Sequence, residues 1–348
     1  MPRVRIVHTT EYNYASPVTL AEHRLMMRPR DSHDLRLLDA TLGIVPAGAT
    51  IRWAHDVFGN SICYLDWPKG RTDFLRIVST LDLEHYPGHE ALPIEPAAET
   101  YPFRYAGDEY PDLSRLIEPH YPDPDRQVEA WARRFLRPAG NTQTRELLIA
   151  MTEAIKADFT YEARETKGTH APLQTLASKR GACRDFAVLM MEAARALGFA
   201  ARFVSGYLYD PALIDCVDPM IGGGTTHAWC AIYLPGAGWV EYDPTNGLVA
   251  GRNLIRVCTA REPHQATPLS GGYIGRPEDF LDMTVNVEVM VGDPPGFDFR
   301  AKDAVAGPPN GRMPTAVALA TRQPDAKVAT PAELGTEASL GDLDLTPS

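Results

Sequence analysis

Three short segments carry residue types that together could perform nucleophilic sulfur chemistry. They are GACRDF around Cys183, THAWCAIYL around His227 and WVEYDPTNG around Asp243. Cys183 follows a Gly-Ala turn, is flanked by Arg180, Arg184 and Asp185, and opens a run with helical apolar spacing. A thiol at a helix N-terminus faces unpaired N–H groups and the positive end of the helix dipole, which favour the thiolate. An imidazole within reach would hold the thiol proton and return it to a leaving group. A third polar group would fix the tautomer of that imidazole. The backbone N–H of Cys183 is itself a candidate donor to a developing oxyanion.

Simple geometry predicts how these residues meet. His227 begins one predicted strand and Asp243 ends the next, with a tight hairpin at Gly236-Ala237-Gly238 between them. Antiparallel neighbours joined this way place the start of one beside the end of the other. The Cys183 helix must bury Phe186, Leu189, Met190 and Ala193, and packing on this sheet brings its first turn to the His227 edge. Gly198 is a suitable residue to end that helix.

The rest of the chain divides by composition. Residues 1–90 read as strands punctuated by Pro, Gly and Asn, with a turn at Phe58-Gly59-Asn60, and predict an N-terminal antiparallel β-sandwich domain. Residues 91–125 are dense in Pro and Tyr and read as a connector. Residues 126–298 form the predicted catalytic core. It starts with helical patterns over 126–136 and 141–159, the second capped by Asn141 or Thr142, then a loop before the Cys183 helix. Strands follow over 199–209, 226–235, 238–244 and 282–292. Between them, residues 210–225 read as a loop whose glycines at 222–224 would flex over the cleft. Residues 299–348 lack periodicity and read as a disordered tail. The expected fold class is α+β.

Composition narrows the options further. The 348-residue chain is 44% apolar and carries a net charge of -11, which argues against a broad nucleic-acid surface. No run reaches the roughly 18 apolar residues of a membrane span, and the first residues lack a signal-peptide pattern. Five scattered cysteines without a CxxC pair support neither a zinc ribbon nor a disulfide framework, so a reduced, cytoplasmic protein is the expectation. Zinc accepts Cys, His and Asp, but no HExxH or CxxC accompanies them, and no metal is expected. There is no P-loop and no dinucleotide fingerprint, so no cofactor is expected.

The order of a Cys-opened helix, then THAWCAIYLPGAGWVEYDPTNG, then YIG at 273–275 resembles the transglutaminase-like superfamily of papain-type thiol enzymes. The segments EYNYASPVTLAEHRLMMRPR and DVFGNSICYL resemble the N-terminal β domain of its bacterial members. The resemblance covers roughly residues 1–295. It implies Cys183 as nucleophile, His227 as base and acid, and Asp243 as the residue orienting it. It also implies a thioester formed from an amide and resolved by water or an amine.

Each residue also has a plainer reading. Tyr161, Trp229 and Asp185 are secondary cleft or oxyanion candidates. Trp229 could equally be core, and Asp185 simply suits the first turn of a helix. Arg184 either assists a thiolate or is solvated. His170 is the one rival to His227. Cys230 should point away from His227, and Cys216 lies in the 210–225 loop. Three functions compete: a cysteine-dependent hydrolase of peptide or protein amides, an acyltransferase with an amine acceptor, and a non-catalytic binding module. Neither nucleic acid nor a membrane is an expected partner.

Overall fold

The computed structural model describes residues 3–86, 92–163, 168–209, 225–249, 253–292 and 321–322. The 210–224 stretch of the expected loop, with Cys216 and the lid glycines, lies outside them, as does nearly all of the tail.

The fold is α+β. Its N-terminal strands are β1 (Arg3–Leu20), β2 (His23–Arg28), β3 (Leu35–Val45), β4 (Thr50–His55), β5 (Ser61–Asp66) and β6 (Thr72–His85). A long antiparallel sheet sets β1 beside β6 and β6 beside β3. A shorter sheet holds β2, β5 and β4. The two share an apolar cluster in which Tyr12, Leu75 and Ile77 of the long sheet meet Leu25, Cys63 and Leu65 of the short one. β2 has no turn signal of its own in the sequence and takes its place by pairing His23 with Leu65.

Helices follow: α1 (Tyr110–Ile117), α2 (Gln127–Arg133), α3 (Thr144–Asp158), α4 (Pro172–Ser178) and α5 (Cys183–Ala196). Two of them differ from the expectation. The predicted connector contains α1, started by Pro111 in its first turn, and α4, started by Pro172, stands between the expected loop at 161–172 and the Cys183 helix. Neither Asn141 nor Thr142 caps α3. Gln143 holds that position without a side-chain bond, and the Thr142 hydroxyl instead accepts from the Arg137 N–H at 2.9 Å.

The sheet predicted to carry the catalytic histidine and aspartate is antiparallel and comprises β7 (Ala201–Leu208), β8 (Thr226–Leu234), β9 (Gly238–Asp243) and β10 (Leu254–Ala260). Its order runs from the short strand Leu248–Val249 through β9, β8 and β7 to β10. The β8–β9 hairpin forms as expected, pairing Leu234 with Gly238 and Cys230 with Tyr242. Gly236 takes φ +84°, and a Cβ there would lie 2.9 Å from the Glu95 nitrogen, so glycine is required twice over.

β11 (Phe280–Val291) corrects one boundary. Assigned above to the catalytic core, it pairs instead with β1, from Val4 opposite Val291 to Tyr14 opposite Phe280. The chain thus returns to complete the sheet it began. The Asp56–Asn60 turn ties the two halves: Asn60 donates to the Thr259 carbonyl at 2.7 Å and accepts from its N–H at 3.0 Å.

α5 packs on β8 and β7 and is also flanked by α2, α3 and α4. It is therefore buried on nearly every side, beyond the single stripe its amphipathic pattern predicts. Its polar residues survive by pairing. Arg195, with a fully buried side chain, donates to Glu192 at 2.7 Å, to Glu262 at 3.2 Å and to the carbonyls of Leu116, Ala201 and Arg261. Removing one partner of such a network leaves buried carboxylates uncompensated. Arg195→Ala is expected to cost about 3–5 kcal/mol of unfolding free energy, read from urea denaturation. A loss below about 1 kcal/mol would mean the surface-pair regime applies instead.

Candidate active site

Cys183 is the first residue of α5, held there by a turn that reads from the sequence. The short strands Thr160–Tyr161 and Arg180–Gly181 pair in parallel, and Gly181 accepts the close approach of Asp185, whose Cβ would lie 2.9 Å from a Cβ at position 181. Asp185 is completely buried and accepts from the Ala182 N–H at 2.9 Å and the His170 N–H at 2.7 Å. It caps the helix that presents the thiol and pins the loop beside it. The Cys183 N–H has no protein acceptor among the described residues, as expected of a first-turn donor.

His227 lies near the start of β8, opposite Gly206 of β7. A Cβ at Gly206 would meet the Ile255 carbonyl oxygen at 2.1 Å and the Trp229 ring at 2.9 Å, so only glycine lets Trp229 lie in this position. Trp229 is fully buried and stacks on the imidazole, with centroids 5.8 Å apart and planes at 27°. Asp243 ends β9, and its Oδ2 lies 2.9 Å from His227 Nε2. The carboxylate also accepts from the Asn246 side chain at 2.8 Å and the Thr245 N–H at 3.0 Å. Asn246 and Thr245 are supporting residues that the sequence reading passed over. The signal was available, because DPTNG can fold back as an Asx turn on its own aspartate.

The electrostatics follow from this burial. Burial disfavours the imidazolium of His227, but the Asp243 charge, its hydrogen bond and the Cys183 side chain outweigh it and raise the pKa to about 10. Burial would likewise raise the Asp243 carboxyl. The His227 charge and the three hydrogen bonds overrule it and hold the group below the usual carboxylate range. Nε2 is thus committed to Asp243, while Nδ1 is buried without a hydrogen-bond partner of normal geometry. Cys183 is the other side chain that acts on the ring. Catalytic pairs often stay loose until substrate arrives.

Cys183 and His227 line one cleft of about 460 Å³ at the junction of the two halves of the molecule. Arg184 and Thr169 stand on the same side, and Phe203, Ser205 and Ala228 come from the catalytic sheet. His8, Thr10 and Tyr12 of β1, Met283 and Val285 of β11, and the segment from Pro263 to Gly271 also line it. None of the secondary candidates lines this cleft. Tyr161 is beside Cys183, with its hydroxyl pushed up to about 12 chiefly by burial, so it stays protonated. Trp229 backs His227, and Asp185 is spent on backbone N–H groups. His170 is anchored through its N–H to Asp185, and its Nδ1 lies 3.8 Å from that carboxylate rather than in the cleft. Cys230 is fully buried on the opposite side of β8 from His227, among the residues that pack on α5.

Similarity to known proteins bears on the same elements. Residues 4–84 match the bacterial transglutaminase-like N-terminal region, and residues 129–244 match the transglutaminase-like superfamily core. An uncharacterized protein of Mycobacterium tuberculosis is 31% identical over 301 residues, covering 84% of this chain and 94% of that one. The chain belongs to the transglutaminase-like superfamily. A relative from Mycobacterium leprae, also uncharacterized, is 28% identical over 289 residues, covering 82% of this chain and 99% of its own. The crystal structure of a candidate cysteine protease from Cytophaga hutchinsonii shares the fold with a TM-score of 0.60 at 19% identity, covering 84% and 92% of the two chains. In this transglutaminase-like chain, the superfamily core supplies α5, β7, β8 and β9. The N-terminal region supplies β1, the far wall of the cleft.

Folding raises His227 from 6.5 to about 10, so the folded protein keeps a proton that the unfolded chain releases between those values. Stability from this group is complete below about pH 6.5 and is lost as pH rises through about 10. The difference in urea midpoint between wild type and Asp243→Asn should therefore be larger at pH 6 than at pH 10. A difference that ignores pH would mean Asp243 does not hold the imidazolium.

Proposed function

We propose that this protein is a cysteine-dependent amide hydrolase acting through Cys183, His227 and Asp243 and a thioester acyl-enzyme. The observation that carries the reading is the buried 2.9 Å contact between His227 Nε2 and Asp243, with the other ring nitrogen left to a thiol lining the same cleft.

The steps follow from the residues. His227 holds the proton as its imidazolium, and the Cys183 sulfur attacks the carbonyl carbon of an amide. The oxyanion is met by the Cys183 N–H. As the tetrahedral adduct collapses, the C–N bond breaks and His227 passes its proton to the leaving amine. A water then attacks the thioester, giving its proton to His227, and the thiol is released with the carboxylic acid. An amine in place of water gives acyl transfer through the same thioester, which suits the superfamily as well. The two outcomes differ only in what the cleft admits in the second step. A peptide or protein amide is the proposed substrate. Asp243 keeps the imidazole oriented, and Asn246 and Thr245 keep Asp243 charged.

Iodoacetamide should alkylate Cys183 ahead of Cys63, Cys230 and Cys258, all of which are buried. His227→Ala should slow labelling of Cys183 at pH 7 by about a hundredfold, the lower end of general-base contributions, as located by peptide mapping. Slow labelling that ignores His227 would remove the physical basis for catalysis and favour a binding module. With amide substrates in hydroxylamine, free acid marks hydrolysis and hydroxamate marks transfer.

A further inference from the structure

We propose that residues 342–346 of this chain add as a strand to the free edge of β4, closing the open side between the two N-terminal sheets. This surface shares no lining residue with the Cys183 cleft, so the inference stands apart from the catalytic reading.

The two sheets leave a groove where both end. β3 is the last strand of the long sheet and β4 of the short one, and Ala40, Thr41 and Leu42 of β3 meet Trp53 of β4 in that groove. β4 pairs with β5 from Thr50 opposite Asp66 to His55 opposite Ser61, and with no other strand among the described residues. An antiparallel strand turns alternate pairs of N–H and C=O groups away from its neighbour. Natural edges are commonly blunted by Lys, Pro or a bulge. β3 has such a bulge between Leu37 and Asp39. β4 contains neither Lys nor Pro and keeps an unbroken register.

The two faces of β4 define its partner. Ile51 and Trp53 stand opposite Leu65 and Cys63, which belong to the shared apolar cluster, yet they are 47% and 50% exposed. They are inward positions with no neighbour on the free side, and covering them removes apolar area from water. Arg52 is on the other face. Its guanidinium lies 4.1 Å from the centre of the Tyr64 ring and 3.4 Å from Glu22, an exposed pair that contributes little. A second cation, Arg28, lies 5.8 Å from the centre of the Trp53 ring. The fitting strand is apolar, acidic, apolar in alternation. The β4 of a second copy offers an arginine where the acid is wanted.

The C-terminal tail holds that pattern. Asp342, Leu343, Asp344 and Leu345 alternate strictly, within a tail otherwise without periodicity. Laid antiparallel to β4 with Leu343 opposite Trp53, this strand sets Asp344 opposite Arg52 and Leu345 opposite Ile51. Cross-strand pairs of opposite charge, and of an aromatic with an apolar residue, both stabilise a sheet. The reach also suffices. Thr321–Arg322 pairs with β11 at the opposite edge of the long sheet from β3. The twenty residues from Arg322 to Asp342 extend to about 65 Å. The long sheet is about 20 Å across from that strand to β3, and stacked sheets lie about 10 Å apart.

The test is amide hydrogen exchange of the full chain at two protein concentrations, read on peptides covering residues 50–55 and 342–346. Both segments should be protected in wild type. Leu343→Asp combined with Leu345→Asp should speed exchange in residues 50–55 by about tenfold, the size of one net hydrogen bond. Arg52→Glu should do the same, and adding Asp344→Arg to it should restore protection. Unprotected residues 342–346 in wild type, or protection of β4 that survives the leucine substitutions, would overturn the proposal. Protection that rises with protein concentration, together with a doubled mass in light scattering, would overturn it in favour of a second copy. If Arg52→Glu fails to fold, the tail substitutions alone decide.

Discussion

His227 and Asp243 meet where almost no solvent reaches, and desolvating two charges costs several kcal/mol per ion before any attraction is counted. The chain offsets this by crowding the carboxylate with donors: the imidazole, the Asn246 amide and the Thr245 N–H. Much else in the catalytic half serves this pair. Gly206 makes room for Trp229, and Trp229 closes the imidazole against water. The β8–β9 hairpin fixes the register that brings the two residues together. Because the pair is buried, its Coulomb interaction is weakly screened and the imidazole keeps its proton well above its ordinary range.

The Cys183 thiol has the opposite setting, since it lines the cleft. α5 reconciles the two by being buried along its length while its first residue opens onto the cleft. Its few polar side chains are each assigned a partner. Asp185 holds the first turn and the adjacent loop, and Arg195 neutralises Glu192 and Glu262 while tying α5 to the segments at Leu116 and Arg261. Such satisfied buried networks rigidify a core.

The N-terminal strands do more than precede the catalytic core. One strand, β1, uses successive inward positions first to pack on the catalytic sheet, then to line the cleft, then to fill the N-terminal core. β11 returns from beyond the catalytic sheet to pair with it. The cleft is therefore a product of both halves. Cys183 and His227 come from one, and His8, Thr10 and Tyr12 from the other.

Local residue patterns determined a good deal of this protein. Helical spacing after a Gly-Ala turn was enough to place Cys183 at a helix start, and a hairpin of fixed length between THAW and YDP was enough to make His227 and Asp243 neighbours. Both are short-range consequences of periodicity and turn chemistry. What could not be read locally depends on pairing between distant segments. α1 and α4 are too short and too proline-marked to announce themselves as helices. β11 alternates like any edge strand, and only the matching face of β1 decides which sheet it joins. His8 and Thr10 read as ordinary strand residues until Tyr207 and the catalytic sheet close over them. Long-range pairing and burial are set by the whole set of competing surfaces, and a window of sequence contains only one side of each.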